Sequence, residues 1–211
     1  MSDTPVLYGF DGSTYVRTTR CVLHRKGIAY DQIPLDVLEG EPQEPEHLAR
    51  HPFGKVPVLD IDGVRLRETN VICRYLDESR PEPALMPADP KGRAMSGQCM
   101  SLIDSYGYGA LVGAAGYHLF PDFLGNPSAE DHRGMVANGK KLLGLLTEIK
   151  GNDPWFGGAR VGLADYWLGP IMAYVSMTDH KDEMLAIGDL SDWWDRLSAD
   201  EVFAATAPDL G

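Results

Sequence analysis

Residues 51–76 read HPFGKVPVLDIDGVRLRETNVICRYL, and this stretch decides the fold of the first part of the chain. The apolar run Val56–Leu59 predicts a strand. Asp62-Gly63 predicts a tight hairpin turn, because this dipeptide tolerates the positive φ angles that such turns require. Val64–Leu66 predicts the returning strand. A helix is then expected around Glu68-Thr69, since the apolar residues that follow recur at helical spacing.

Two features of this stretch predict a binding site. Pro57 removes a hydrogen-bond donor from its strand, so it belongs at an edge, a start or a bulge. With a cis peptide bond it would leave the backbone groups of Val56 facing outward, where an extended peptide-like ligand can pair with them. The helix start at Thr69 offers unpaired N–H groups that bind carboxylates. The alternative, from the residues alone, is an ordinary hairpin packed on a helix.

The residues before this stretch complete a recognisable order of elements. Val6–Phe10 predicts a strand, Thr14–Lys26 an amphipathic helix and Tyr30–Leu35 a second strand. The cations of the helix, Arg17 and Lys26 among them, are expected mostly on its solvent side. Strand, helix, strand, hairpin and helix follow one another as in a thioredoxin-like α/β domain, with two parallel strands joined by the helix and then an antiparallel pair.

The rest of the chain is predicted to be helical. Lys91–Leu111 has helical spacing, but the glycines in and after its last part predict a kink or break there. Ser128–Lys150 predicts a long helix with a continuous apolar face. Asp165 predicts a helix start, because its carboxylate can reach back to the N–H of Gly162. Trp193-Trp194 marks a short late helix.

We therefore expect two domains. The first, residues 1–82, is the thioredoxin-like α/β domain, and the second, residues 89–211, is all-α. The proline-rich residues 83–88 form the linker between them.

The composition excludes several classes of function. A net charge of −12 and a pI near 4.8 argue against nucleic acid and anionic membranes as partners. No apolar run approaches the roughly 18 residues that a membrane span needs, and the first ten residues do not resemble a signal peptide. Cys21, Cys73 and Cys99 lack both CxxC pairing and metal-ligand spacing, so we expect buried reduced thiols, no metal site and a cytoplasmic location.

The runs PFGKVPVL and RETNVICRYL resemble the glutathione-binding half of cytosolic glutathione S-transferases, of the serine-type phi, theta and bacterial-like classes. That family carries an N-P-F-G-Q/K-V-P-x-L block, followed by an acidic residue and Ser at the start of the third helix. Here His51 replaces the Asn, and Thr69 replaces the Ser but keeps a hydroxyl. The resemblance implies the same two-domain fold, a homodimer, and glutathione as co-substrate.

The resemblance also implies roles for single residues. Glu68 and Thr69 would hold the ammonium and the carboxylate of the γ-glutamyl end of glutathione. Val56, at the turn formed with Pro57, would pair with the cysteinyl backbone. Lys55 would face the glycine carboxylate.

Two further positions are compared with the family. Pro42 and Gln43 stand where related transferases often carry a basic pair for the glycine carboxylate, which makes Lys55 the cation of this site. Asp104 lies where several members send an acidic residue across the dimer interface towards the glutathione ammonium.

Ser13 is the first candidate for the catalytic residue. Thiols titrate near pH 8.5, and lowering the pKa by about two units takes roughly 2.7 kcal/mol of thiolate stabilisation. One hydrogen bond to a charged group contributes about 1.5–3 kcal/mol, so a single hydroxyl is sufficient. The family places its thiolate-orienting serine directly after the first strand with Arg four residues later, as Ser13 and Arg17 stand here. Thr14, Tyr15 and Tyr8 are the alternatives.

An aromatic group marks the helical half. Its members are Tyr106, Tyr108, Tyr117, His118 and Phe120. These side chains either line a pocket for an electrophile or form part of the core. His118 has no partner recognisable from the sequence for triad chemistry or metal binding.

The sequence thus predicts a glutathione transferase that adds the glutathione thiolate to electrophilic small molecules. The alternatives are a non-catalytic glutathione-binding or regulatory protein of the same fold, or a glutathione-dependent isomerase, peroxidase or dehalogenase. The fold does not choose among them.

Overall fold

The computed structural model describes residues 4–208. The chain divides into two compact units, Met1–Ala84 with Glu201–Gly211, and Leu85–Asp200. The outer ends of the two expected domains, residues 1–3 and 209–211, lie outside the described residues. The last helix was expected in the helical domain, but it groups with the first unit.

The reason is a buried cation. Arg17, expected on a solvent face, is only 6% exposed. Its Nη2 donates to the carbonyl oxygen of Phe203 at 2.9 Å, and its guanidinium lies 3.9 Å from the centre of the Phe203 ring. Because a buried guanidinium needs acceptors, this contact holds the last helix on the first helix of the same unit.

The first unit contains a four-stranded sheet flanked by helices. Its elements are β1 (Val6–Tyr8), α1 (Thr14–Arg25), β2 (Asp31–Ile33), a 3₁₀ turn (Glu41–Gln43), α2 (Pro45–Leu48), β3 (Val58–Ile61), β4 (Val64–Arg67) and α3 (Thr69–Ser79), with α10 (Glu201–Ala205) from the end of the chain. The strand order is β2-β1-β3-β4. The pair β1–β2 is parallel, and the pairs β1–β3 and β3–β4 are antiparallel. The predicted thioredoxin-like α/β domain is confirmed.

The register of the strands determines which loops meet. Tyr8, the last residue of β1, pairs with Ile33 at the end of β2 and with Val58 at the start of β3. Val58 in turn pairs with Arg67, the last residue of β4. The segments that follow β1, precede β3 and follow β4 therefore leave the sheet at the same edge.

The burial of a second cation, directly after α1, was also not predicted. Lys26 follows α1 as its C-cap, and its side chain is completely buried. Nζ contacts Oδ1 of Asp77 at 2.5 Å and the carbonyl oxygens of Arg80 and Pro83 at 2.7 and 2.6 Å. The sequence indicated a cation beside the carbonyl end of a helix, but it gave no sign that the end of α3 covers it.

The second unit is helical, as predicted. Its elements are α4 (Pro90–Leu102), a π-helical segment (Ile103–Val112), α5 (Gly113–Leu119), a 3₁₀ turn (Asp122–Leu124), α6 (Ala129–Lys150), α7 (Leu163–Val175), α8 (Lys181–Leu185) and α9 (Leu190–Ser198). No helix within residues 4–208 has the length and apolarity that crossing a membrane requires.

The helix does not end at the glycines after α4. The chain continues there as the π-helical segment. A Cβ atom at Gly107 would lie 2.4 Å from Leu142, and one at Gly113 would lie 2.7 Å from Sδ of Met135. Both of these neighbours belong to α6. The glycines therefore allow α6 to approach closely, whereas the sequence predicted only that they would kink or break the helix.

Asp165 caps α7 from a completely buried position. Its carboxylate accepts hydrogen bonds from the backbone N–H of Gly162 at 2.8 Å and of Phe156 at 3.0 Å, and from the indole N–H of Trp193 at 2.9 Å. Burial raises the pKa of Asp165 to about 6, although these three hydrogen bonds oppose the shift. The predicted cap is present, and it also connects α7 to α9.

Candidate functional site

The predicted binding residues of the first unit leave the sheet at one edge. Ser13 comes after β1, Val56 and Pro57 come before β3, and Glu68 and Thr69 come after β4. Because the strand register aligns these three points, the segments that carry the candidate residues emerge side by side.

Ser13 is the N-cap of α1. Its backbone is extended, and its Oγ accepts a hydrogen bond from the N–H of Val16 at 3.4 Å. A hydroxyl group has one hydrogen to donate and two lone pairs, so this contact leaves the hydrogen of Ser13 available. The side chain is half-buried at the positive end of a helix, where an anion is stabilised.

The three alternatives to Ser13 differ in their surroundings. The hydroxyl of Tyr8 donates to Oδ2 of Asp60 at 3.4 Å. Since Asp60 pairs with Val6 at the beginning of β1, this hydroxyl points away from the edge where β1 ends. Thr14 is 5% exposed, and its Oγ1 is buried with no hydrogen-bond partner among the described residues. Tyr15 is half-buried in the first turn of α1.

Pro57 follows a cis peptide bond and precedes β3, which begins at Val58 and not at Val56 as predicted. Within residues 4–208, the backbone of Val56 makes no hydrogen bond. Its N–H and C=O are thus available to an extended ligand at the edge where the strands meet.

Glu68 and Thr69 form the start of α3. Glu68 is the N-cap, with φ +67°, and its side chain makes no capping hydrogen bond. An L-residue other than glycine at such a φ costs about 1–3 kcal/mol, and residues of this kind cluster at functional sites. Thr69 is the first helical residue and is buried. The first N–H groups of α3 therefore lack the side-chain acceptor that a helix start usually has.

His51 lies next to Glu68 in the candidate site, a contact that the sequence did not predict. It is 2% exposed, and its Nδ1 accepts from the backbone N–H of Phe53 at 3.3 Å. In the neutral ring the proton then lies on Nε2, which is 3.5 Å from Oε1 of Glu68. The available signal was that His51 replaces the asparagine of the family motif directly before Pro52, Phe53 and Gly54.

The loop before Val56 packs against three residues: His47, Pro42 and Gln43. Nε2 of His47, which is buried, lies 2.9 Å from the carbonyl oxygen of Lys55. At Gly54, with φ +57°, a Cβ atom would lie 2.3 Å from Nε2 of Gln43 and 2.7 Å from the carbonyl oxygen of Pro42. Pro42 and Gln43 thus pack against this loop without supplying a positive charge, and the Lys55 side chain is exposed.

The cysteines are poor nucleophiles. All three are free and buried. Burial raises the pKa of the Cys73 thiol strongly, and it raises that of Cys99 to about 12. A nucleophilic sulfur at neutral pH would therefore have to come from a bound thiol.

The residues predicted in the helical half do not form a single cluster. Oδ1 of Asp104 accepts a hydrogen bond from the indole N–H of Trp167 at 2.7 Å, which anchors the π-helical segment to α7. Tyr106 is 68% exposed and Tyr108 is 37% exposed. Phe120 contacts the rings of Phe123 and Tyr174, which are not among the predicted aromatic residues.

The conclusion that His118 lacks a partner was wrong. The ring of His118 lies beside Tyr117 and also near the rings of His132 and His180, with ring centres 4.9 and 5.5 Å away. His132 is 14 residues further along the chain (132 − 118) and His180 is 48 beyond that, so no short spacing in the sequence could signal the group.

Comparisons with known proteins identify relatives of this chain. The family profile described as "Glutathione S-transferase, N-terminal domain" matches residues 7–84. The maleylacetoacetate isomerase of Rhizobium meliloti is 44% identical over 93 residues, which span 44% of this chain and of that protein. The maleylacetoacetate isomerase of Pseudomonas aeruginosa is 32% identical over 174 residues, 78% of either chain. Glutathione S-transferase 1 of Dianthus caryophyllus is 31% identical over 78% of this chain and 74% of that one.

The fold is also found in solved structures. The theta-class glutathione S-transferase of Xanthomonas axonopodis pv. citri, solved with glutathione bound, superimposes with a TM-score of 0.85 at 24% identity over 98% of both chains.

Two relatives above 30% identity are aligned over more than two thirds of their length. The chain therefore belongs to the glutathione S-transferase family.

Proposed function

We propose that this chain binds glutathione at the sheet edge described above and promotes attack of its thiolate on an electrophilic carbon of a small molecule. The observation that carries the proposal is the strand register, which aligns the segments of Ser13, Val56 and Glu68-Thr69 at one edge. The names of the relatives and the glutathione bound to the Xanthomonas protein support the choice of ligand.

Each binding role follows from a group that lies at this edge of the sheet. The N–H groups at the start of α3 and the hydroxyl of Thr69 would donate hydrogen bonds to the γ-glutamyl carboxylate, and the carboxylate of Glu68 would pair with the adjacent ammonium. The backbone of Val56 would pair with the cysteinyl residue in the manner of an added strand. Lys55 is an exposed cation for the glycine carboxylate on this acidic chain.

Ser13 would donate its hydroxyl hydrogen to the thiolate sulfur. This hydrogen bond favours the charged form by about 1.5–3 kcal/mol, and the helix start adds about 0.3–1 kcal/mol. Each pKa unit corresponds to about 1.36 kcal/mol, so these contributions lower the pKa of bound glutathione by about one to three units. More thiolate is then present at neutral pH to form the bond to carbon.

A second function, cis–trans isomerisation, is favoured by the identity to two maleylacetoacetate isomerases. The same thiolate would add to a carbon of a conjugated double bond, the resulting single bond would rotate, and elimination would release the thiolate and the isomer. Glutathione is consumed in the transfer reaction and regenerated in the isomerisation. The ratio of glutathione lost to substrate converted separates the two functions.

The test is an ultraviolet titration of the bound thiol in the wild type and in Ser13→Ala. In the wild type we expect thiolate absorbance well below the pKa of free glutathione. In the variant we expect the pKa to rise by about one to two units, with turnover of an aryl halide or a conjugated enone falling about ten- to a hundredfold near pH 6.5. Ser128→Ala is the control, because Ser128 is also an N-cap but belongs to α6.

Two results would contradict parts of the proposal. An ordinary pKa for the thiol bound to the wild type would favour the non-catalytic binding protein. Unchanged activity in Ser13→Ala would transfer the role to Tyr15 or Thr14.

We also propose that the protein acts as a cytoplasmic homodimer, with Asp104 near the seam. Reduced buried cysteines support the location, and an aromatic side chain that is 79% exposed, Phe53, supports a partner surface beside the candidate site. Light scattering should give the mass of two chains at micromolar concentration. Phe53→Ser should shift that value towards one chain, and a monomeric wild type would remove any shared role for Asp104.

A further inference from the structure

Three histidines of the second unit meet outside the candidate glutathione site. His118 lies in the last turn of α5, His132 in the first turn of α6, and His180 directly before α8. One ring nitrogen from each lies within 4.8 Å of the other two. The rings of His132 and His180 are half-buried, and that of His118 is exposed, so the cluster opens to solvent on one side.

The ring of His180 is held by a carboxylate. Its Nδ1 lies 2.6 Å from Oε1 of Glu183, and the other oxygen of Glu183 pairs with the ammonium of Lys140. An ionised carboxylate accepts the Nδ1 hydrogen, so the lone pair of neutral His180 is on Nε2.

His132 is oriented in a similar way. Its ring stacks on Tyr117, with the centres 4.1 Å apart and the planes 9° from parallel. It also makes a hydrogen bond to the backbone of Ala114 that favours the protonated ring, so the ring is the donor. Because Nε2 of His132 is turned towards His180, we assign this donor to Nδ1, and the lone pair of the neutral ring is then on Nε2 as well.

Two lone pairs consequently face each other. Nε2 of His132 and Nε2 of His180 are 3.0 Å apart, and a contact between two acceptors is repulsive unless a cation lies between them. A histidine binds a metal ion through the lone pair of its neutral ring, and here two such lone pairs converge on one point.

We propose that His118, His132 and His180 form a three-histidine site for a zinc-type divalent transition metal. Zinc binds imidazole nitrogens at about 2.0–2.1 Å in tetrahedral geometry, which sets neighbouring nitrogens about 3.3 Å apart. The His132–His180 pair needs almost no movement to reach that distance. The exposed ring of His118 would supply the third ligand after rotating about its side-chain bonds.

The neighbouring groups fit this assignment. A carboxylate that accepts the second ring N–H of a metal-bound histidine is the usual support of such a ligand, and Glu183 occupies that position for His180. Three protein ligands leave the fourth position of zinc to water or to another small ligand on the open side. Lys140 and Arg133 place positive charge near the three rings. We therefore expect the affinity for a metal cation to be lower than in a site surrounded by acidic groups.

The experiment is metal binding by the untagged full chain. Zinc added in competition with a chromogenic chelator should bind with a stoichiometry of one per chain, and cobalt should give the intense visible absorption of tetrahedral coordination. Zinc should also raise the melting temperature, since a ligand that binds only the folded state stabilises it.

The variants are chosen to preserve the fold. Glu183→Gln should weaken zinc binding about ten- to a hundredfold, the usual effect of losing a supporting carboxylate. His118→Gln removes a direct ligand at an exposed position, so it should weaken binding by at least as much and abolish the tetrahedral cobalt spectrum. His24→Gln, at an exposed histidine of the first unit, should bind zinc like the wild type.

Other results would overturn the proposal. Absence of a stoichiometric zinc complex in the wild type would mean that a shared proton, not a metal, lies between His132 and His180. Equal zinc binding by His118→Gln and the wild type would locate the metal elsewhere. Zinc binding is measured without glutathione, so failure here leaves the proposed thiolate chemistry of the first unit unaffected.

Discussion

The hairpin and helix of residues 51–76 and the histidine cluster of the second unit assemble their chemistry in opposite ways. In the first region, the proposed binding groups lie close together in the sequence and their places are set by strand register. In the second, the ring nitrogens come from the end of α5, the start of α6 and the residue before α8. Local pattern is therefore informative about the first region and almost silent about the second.

The two regions also differ in what holds them. The start of α3 is left without a side-chain cap, and its N-cap residue has a left-handed backbone. The start of α7 has a buried carboxylate with three donors. The N–H groups of a helix start without a cap can bind a ligand, whereas N–H groups that already have an acceptor stabilise the fold. Substitutions at the two helix starts should consequently affect different measurements.

The largest effect is expected at Asp165. Asp165→Ala leaves the N–H groups of Phe156, Gly162 and Trp193 without their acceptor in a buried place, so we expect the free energy of unfolding to fall by about 4 kcal/mol. Urea denaturation followed by tryptophan fluorescence measures it.

Asp131→Ala is the matched control. Asp131 is the exposed carboxylate of the capping box of α6, where a cap contributes about 1 kcal/mol. Equal losses in the two variants would mean that burial does not distinguish the caps.

The pH dependence of unfolding is the next largest expected effect. Asp165 has a pKa of about 6 in the folded protein and about 4 when unfolded, so the folded state binds more protons between these values. Its contribution to stability is fully present below pH 4 and is lost as the pH rises to 6, a change on the order of 3 kcal/mol.

Subtracting the values for Asp165→Asn isolates this group from carboxylates such as Asp60, whose pKa is lowered by the hydrogen bond from Arg65 and which therefore shows the opposite slope. A difference between wild type and Asp165→Asn that is constant from pH 4 to 6 would exclude the raised pKa.

The same contrast explains what the sequence could predict. The α/β half was predicted because Asp62-Gly63, the apolar runs and the helical spacing are local signals, and Asp165 was predicted as a cap because its partner Gly162 is three residues away. The burial of Lys26 and Arg17 was missed, since their partners Asp77 and Phe203 are distant in sequence.

Glycine had a similar ambiguity in the helical half. Gly107 and Gly113 weaken an isolated helix, which led to the expected kink or break, but in the folded chain they allow α6 to approach. Whether a helical glycine serves a break or a contact depends on what lies opposite, and sequence alone does not contain that information.

A smaller effect, on binding alone, is expected at the uncapped start of α3. Thr69→Ala removes a hydroxyl that would bind the γ-glutamyl carboxylate, so glutathione affinity should fall by about 1–3 kcal/mol. Calorimetry with reduced glutathione measures it, and unfolding should change little because Thr69 makes no capping bond. Thr178→Ala, in the second unit, is the control. Affinity that is unchanged in Thr69→Ala would locate the carboxylate elsewhere.

The smallest expected effect concerns His51, where this chain departs from the asparagine of its family. The ring does two things: Nδ1 accepts from the N–H of Phe53, and Nε2 lies 3.5 Å from Glu68.

His51→Asn separates these contacts, because an asparagine oxygen can accept from Phe53 but its side chain is too short to reach Glu68. The side chain of Glu68 is 72% exposed, so the lost contact contributes only about 0.5 kcal/mol, and glutathione affinity should fall about two- to threefold by calorimetry. His51→Ala loses both contacts in a buried place, so it should also lower the free energy of unfolding by about 1–3 kcal/mol. If His51→Asn weakened binding tenfold or more, His51 would act on the ligand directly and not through Glu68, and the start of α3 would depend on more than its unpaired N–H groups.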